Sequence, residues 1–133
     1  MLLVRAGFAF ALLALITAAA DAQTPPARTP EFRGAAFTMQ GGEAVYRGVC
    51  QGCHMADAKG ATGAGAYPAL AGNSRLASAG YVVTIVMNGH KGMPAFRDQF
   101  TDQQIADVAN YVRSHFGNRF QGEVKPADVQ ALR

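Results

Sequence analysis

Cys50-Gln51-Gly52-Cys53-His54 constrains this chain more than any other stretch of it. A C-x-x-C-H run is the attachment pattern of a c-type haem. Two thiols three apart on a helical turn can each add to one vinyl group of the same porphyrin. The histidine directly after the second thiol is then held under the ring, where its imidazole can bind the iron. Without His54, a C-x-x-C in an exported protein would read as a disulfide or a redox dithiol. The rival reading is a Cys50–Cys53 disulfide with an incidental histidine. Both cysteines of the chain lie in the motif, which leaves none for a structural disulfide elsewhere.

Export agrees with that chemistry. Residues 1–22 read as a secretory signal peptide. Arg5 is its positive end, and Ala6 to Ala20 is an uncharged, mostly apolar run. The run is short for a transmembrane span of about 20 residues. Ala20-Asp21-Ala22 fits a small-x-small cleavage site, so cleavage is expected after Ala22, with an uncleaved anchor as the alternative. Residues 23–37 hold Pro25, Pro26 and Pro30 and read as an extended tether, because proline lacks the helix donor and disfavours helix in its predecessor. Residues 38–133 form one small domain. A domain this small buries a modest core, and a covalent porphyrin would act as its staple. The net charge of +3 gives no reason to expect nucleic acid.

The pattern within the domain is helical. A first helix is expected from Met39 to Val49, leading into the motif. Met55 to Leu76 is rich in glycine and has no helical period, so it reads as a long loop wrapping one side of the haem. Ser78 to Asn88 reads as a helix with Tyr81, Val82, Ile85 and Val86 at helical spacing. Its β-branched run leaves a strand as the alternative. Gly89 to Phe100 is a second loop. Thr101-Asp102-Gln103-Gln104 is a capping box, and the last main helix follows to Phe116 with Ile105, Val108, Ala109, Val112 and Phe116 as its stripe. Lys125-Pro126 opens a short tail helix whose Val129 and Leu132 are expected to dock on the body.

The second axial position decides what such a haem does. A protein ligand on both faces makes an electron carrier, and an open face leaves room for ligands or peroxide. Met93 is the expected ligand. It lies in the second loop, 39 residues after His54, with Pro94 stiffening the chain behind its thioether. Met55 is adjacent to His54 and cannot reach the opposite face. Met39 reads as packing, Met87 as core, His90 as a solvent-facing loop residue and His115 as a helix-end cation.

Cys50-Gln-Gly-Cys53-His54, Pro68-Ala69-Leu70-Ala71-Gly72-Asn73, Gly92-Met93-Pro94-Ala95-Phe96 and Asn110-Tyr111-Val112-Arg113 together resemble a class I cytochrome c over roughly residues 41–117. The second and third segments and Phe116-Gly117-Asn118 are similar to small c-type cytochrome subunits of periplasmic dehydrogenases. Examples are the cytochrome subunit of 4-cresol dehydrogenase and the haem domains of alcohol dehydrogenase cytochrome subunits. The resemblance implies an all-α fold of three to five helices wrapped around one covalent haem c. It implies that the Pro68 carbonyl accepts the Nδ1–H of the axial histidine, that Leu70 presses on the haem, and that Gly42 and Tyr46 cross the last helix near Tyr111.

The expected function is one-electron transfer in the periplasm without catalysis by the chain itself. A periplasmic dehydrogenase would donate, and a terminal oxidase, another cytochrome or a copper protein would accept. No stable membrane insertion is expected after signal cleavage. Alternatives are a free-standing diffusible cytochrome, a haem enzyme or sensor with an open iron position, and a thiol-disulfide oxidoreductase. Lys59, Arg75, Lys91 and Arg97 lie in or beside the loops as a basic rim or as ordinary solvated charges.

Overall fold

The computed structural model describes residues 37–63 and 65–133, so the expected signal peptide and the expected tether up to residue 36 lie outside the described residues. The chain is helical without a break from Gly42 to His54. It runs as α1 (Gly42–Val45), a π-helical turn (Tyr46–Cys50) and α2 (Gln51–His54). The expected start at Met39 moves to Gly42 for two reasons. Gly41 sits at φ 82° and ψ 153°, a conformation that a residue with a Cβ holds only under strain. The carbonyls of Phe37 and Met39 are also taken by the Gln104 side-chain amide, at 2.6 and 2.9 Å. In the π-helical turn the Gln51 N–H reaches back five residues to the Tyr46 carbonyl. The run stops at Met55, which has φ 67°.

The stretch from Met55 to Leu76 is irregular, as expected, but it holds a small hairpin. Strands β1 (Ala61–Thr62) and β2 (Ala66–Tyr67) pair antiparallel, Ala61 opposite Tyr67 and Thr62 opposite Ala66. A 3-10 turn (Ser74–Ala77) follows, its N-terminus capped by the Asn73 side chain on the Arg75 N–H at 3.0 Å. Helix α3 (Ala79–Asn88) starts at a Ser78 cap and buries Val82, Val83 and Met87. That spacing is helical, and it settles the strand alternative for the β-branched run. The second loop folds back on α3 through Phe96 N–H to the Val86 carbonyl at 3.0 Å and Arg97 N–H to the Met87 carbonyl at 3.1 Å.

Both halves of the capping box form at the start of α4 (Asp102–Ser114). Gln104 N–H donates to Thr101 Oγ1 at 3.2 Å, and Thr101 N–H to Gln104 Oε1 at 2.9 Å. Ile105, Val108, Ala109 and Val112 are buried as one stripe. The helix ends at Ser114 rather than Phe116. Phe116 has φ 56°, which aims its ring at Tyr46, centroids 4.9 Å apart, and edge-on at Tyr111, 5.5 Å away. The tail helix α5 (Pro126–Gln130) buries Val129 fully, but Leu132 is 46% exposed and does not dock. After Gln130 the chain turns so that Arg133 reaches the Asp102 carboxylate and the carbonyls of Arg97 and Phe100, which leaves Leu132 outside.

The core lies where α1 and the π-helical turn cross α4. At the crossing a Cβ on Gly42 would stand 2.6 Å from Tyr111 Cβ and would also collide with the Asp107 carbonyl. One turn on, Tyr46 is buried against Tyr111, centroids 5.7 Å apart, and its hydroxyl donates to the Met55 carbonyl at 2.7 Å. Polar side chains of α4 fasten the rest. Arg113, 3% exposed, donates to the carbonyls of Leu76 (3.0 Å), Gln121 (2.6 Å) and Gly122. Asn110 exchanges two hydrogen bonds with the backbone of Val124, at 2.9 and 2.8 Å. The architecture is all-α apart from the two short strands.

Three outcomes follow. Gly42→Val is expected to cost about 1–3 kcal/mol through overpacking, read as a lower urea midpoint at unchanged slope. Gly80→Ala in α3, where an added Cβ meets nothing within 4 Å, should instead gain up to about 1 kcal/mol. The third concerns Tyr46. Burial, with Cys50 and Tyr111 adding less, pushes its hydroxyl from 10.0 up to about 12. The folded chain keeps a proton that the unfolded chain releases, so this stabilisation is complete below pH 10 and is lost as the pH rises towards about 12. Urea midpoints measured at about pH 9 and about pH 11 should fall for the parent chain and change less for Tyr46→Phe.

Candidate functional site

Cys50 closes the π-helical turn and is half-buried, Cys53 is exposed, and His54 ends α2 with 8% exposure. Both cysteines are free thiols. Burial, with Cys53 as a smaller influence, pushes the Cys50 thiol from 9.0 up to about 12. It therefore stays protonated at neutral pH. Thiol-disulfide exchange needs the opposite, a thiolate made accessible by a lowered pKa, so Cys50 is a poor nucleophile for such exchange.

Nδ1 of His54 lies 2.9 Å from the Pro68 carbonyl oxygen. A carbonyl only accepts, so Nδ1 carries the proton and Nε2 keeps its lone pair for a metal. The contact spans 14 residues, and a compact turn makes it possible. Ala58 N–H bonds the Met55 carbonyl and Gly60 N–H the His54 carbonyl, both at 3.1 Å. Ala58, fully buried at φ 58°, turns its carbonyl to the N–H groups of Leu70 and Ala71, at 2.8 and 2.9 Å. Pro68 and Leu70 are thus carried to the histidine on one short segment. Leu70 is half-buried against the core, and Pro68 is exposed.

Met93 stands on the other loop. It is half-buried and closes a tight turn with His90, Met93 N–H to the His90 carbonyl at 2.9 Å and His90 N–H to the Met93 carbonyl at 3.1 Å. Gly89, at φ 70°, lets the Met93 carbonyl approach to 2.5 Å from where a Cβ would lie. The structure therefore joins His54, Pro68 and Leu70 in one hydrogen-bonded unit and holds Met93 on a separate loop anchored on α3. Of the other candidates, Met87 is fully buried in the core and Met39 is half-buried over Gly48. His90 is exposed, and His115 is exposed with its ring stacked on Tyr111 at 4.1 Å.

The donor set fits a c-type haem. Two unpaired thiols and an imidazole with one committed nitrogen end the same helical run. Val49, Leu70 and Phe96, next to the motif, Pro68 and the Met93 turn in sequence, stay only half-buried on the core. Among the described residues no group of three or more His, Cys, Asp or Glu could hold a bare metal ion. No helix among them is long and apolar enough to cross a membrane.

The four basic residues beside the loops differ in their partners. Lys59 pairs with Asp57 at 3.2 Å, and Arg97 donates to Asn88 Oδ1 at 2.8 Å and to the Arg133 carbonyl. Arg75 and Lys91 are exposed. Three residues that bear on the site have roles the sequence did not reveal: Ala58, Asn73 and Asn118. Asn73 and Asn118 lie in segments quoted for the family resemblance, but their hydrogen-bond partners are distant in sequence.

Residues 37–112 match the family model described as cytochrome C oxidase, cbb3-type, subunit III. The chain is 41% identical over 107 residues to the fructose dehydrogenase cytochrome subunit of Gluconobacter japonicus, covering 69% of this chain and 22% of that protein. It is 31% identical over 105 residues to the alcohol dehydrogenase (quinone) cytochrome c subunit of Gluconobacter oxydans, covering 69% and 22%. It is 34% identical over 106 residues to the gluconate 2-dehydrogenase cytochrome c subunit of Pantoea cypripedii, covering 71% and 24%. The chain thus spans under a quarter of the length of these relatives. With the helical fold and the C-x-x-C-H helix, these matches identify the chain as a member of the cytochrome c family described as cbb3-type subunit III, a family that implies covalently bound haem c and electron transfer.

Proposed function

We propose that this chain is a periplasmic one-electron carrier with one haem c, attached through Cys50 and Cys53 and ligated by His54 and Met93. The observation that carries the reading is the 2.9 Å bond from His54 Nδ1 to the Pro68 carbonyl at the end of the C-x-x-C-H helix. It supports His54 as a metal ligand because such a bond fixes the ring, leaves Nε2 free and raises its basicity. Bound there, haem supplies a one-electron ferrous–ferric couple. The chain's part is to hold, orient and shield. The His90–Met93 turn would present a soft thioether as the second ligand, which favours reduced iron, and Leu70 would cover an apolar face. With both axial positions filled by protein, no place is left for a substrate.

The donor in this reading is a dehydrogenase, because the relatives are named as cytochrome subunits of fructose, alcohol and gluconate dehydrogenases. The acceptor would be a terminal oxidase, another cytochrome or a copper protein. Residues 1–22 would direct export and be cleaved after Ala22, residues 23–37 would tether, and residues 38–133 would carry the haem.

Expression in a host able to attach haem tests the reading. The exported chain should weigh one haem more than its sequence, begin at Gln23, and lose one thioether bond in Cys50→Ala. Met93→Ala should keep the covalent haem but bind carbon monoxide readily when reduced. Its potential should fall by tenths of a volt, within the span of about 0.8 V that axial ligands command. An unmodified mass would overturn the haem assignment, and an unchanged potential in Met93→Ala would place the second ligand elsewhere.

A further inference from the structure

The segment that delivers Pro68 to His54 is itself held by two asparagines. Asn118 is 3% exposed, and its amide does three things at once. Nδ2 donates to the carbonyls of Leu70 and Val112, both at 2.8 Å, and Oδ1 accepts the Asn73 N–H at 3.1 Å. Asn73 completes the link from its own side chain, with Nδ2 on the Ala69 carbonyl at 2.8 Å and Oδ1 on the Arg75 N–H at 3.0 Å. Gly72 N–H adds a bond to the Phe116 carbonyl at 3.1 Å.

The topology of these bonds matters more than their number. The carbonyls held by the asparagines are those of Ala69 and Leu70, the two residues directly after Pro68. One anchor is the end of α4 and the turn after it, at Val112 and Phe116. The other side of the segment rests on Ala58, four residues after His54. The peptide bearing the Pro68 carbonyl is therefore fixed between the histidine's own turn and the last helix. A proline carbonyl on an exposed loop would otherwise wander, and a hydrogen bond weakens steeply as its angle departs from linearity.

We propose that Asn118 and Asn73 are positioning residues that aim the Pro68 carbonyl at His54 Nδ1 and so set the electron donation of the imidazole. Neither side chain bonds the histidine. Each acts by restricting the backbone that does. The inference rests on His54 being the haem ligand. Outer partners of metal-bound histidines alter the metal site when they are changed, and the same rule extends one bond further out here. A weaker Nδ1–H bond makes the imidazole a poorer donor, which stabilises ferric iron less.

The test uses the haem-loaded full chain and three variants. Asn118→Ala removes the donors to Leu70 and Val112 and the acceptor for Asn73. Asn73→Ser keeps a hydroxyl to cap the 3-10 turn and removes the bond to Ala69; because Asn73 is half-buried, this variant tolerates the change if Asn118→Ala does not fold. Asn110→Ala is the control. It deletes a two-bond knot from α4 to Val124, with no connection to Pro68. The readouts are the reduction potential and the exchange of the His54 Nδ1 proton followed by NMR. Asn118→Ala and Asn73→Ser should raise the potential and speed that exchange by about tenfold, the scale of a lost buried hydrogen bond, while Asn110→Ala lowers stability and moves neither. If Asn73→Ser leaves both readouts at the parent values, or if Asn110→Ala shifts them equally, the positioning role is overturned. Failure of the underlying reading looks different: the parent chain would then carry no haem, or His54→Ala would leave its spectrum unchanged.

Discussion

The close crossing of the first helical run over α4 is the contact from which the rest of the molecule hangs. Gly42 permits it, because its missing Cβ is what lets the backbone lie against Asp107 and Tyr111. Tyr46, one turn later, fills the space beyond the crossing with a ring packed on Tyr111 and Phe116. Aromatic pairs of this kind add about 0.5–1.5 kcal/mol beyond the area they bury. The Tyr46 hydroxyl then reaches Met55, the residue at which the run stops. Packing at one end thus fixes where His54 ends up at the other.

Much of the rest of the fold is irregular, and loops carry backbone groups that must find partners. This chain supplies those partners from α4. Gln104 takes the carbonyls before α1, Asn110 takes Val124, Arg113 takes the 3-10 turn and residues 121–122, and Asn118, just beyond the helix, takes Leu70. A buried guanidinium satisfied by carbonyls alone is unusual economy: it needs no carboxylate, and hydrogen bonds to a charged group are worth about 1.5–3 kcal/mol each. Helix α4 is therefore both a core element and the frame that gives irregular segments a fixed shape.

What was legible in the sequence is what depends on local spacing. The Thr101–Gln104 box and the Ile105 stripe announce α4, and Ser78 with Gly89 brackets α3 despite its β-branched interior. The motif and its histidine are equally plain. What was not legible depends on distant partners. The start of α1 moved because Gln104, far along the chain, claims the carbonyls of Phe37 and Met39. The end of α4 moved because Phe116 gives up helical geometry to reach Tyr46. Leu132 looked like a docking residue from its spacing to Val129, but the reach of Arg133 to Asp102 turned it outward. The two-residue strands carry too few residues to show a period. The approach of Pro68 to His54 is a pairing that no spacing rule contains, and only the family resemblance suggested it.

The π-helical turn between the crossing and the motif makes the distance from Gly42 to His54 a measured length. An α-helix advances about 100° per residue, and a π-helical turn accommodates one residue more in the same rotation. The turn at Tyr46–Cys50 therefore sets the angle at which Cys50, Cys53 and His54 leave the helix relative to the face that Gly42 and Tyr46 press on α4. Winding the same residues as a plain α-helix would preserve both the packing face and the motif, yet rotate one against the other by about 100°. The histidine would then turn away from the Pro68 segment although every residue that bonds it remained. The winding of this stretch is accordingly as much a part of the site as the side chains in it.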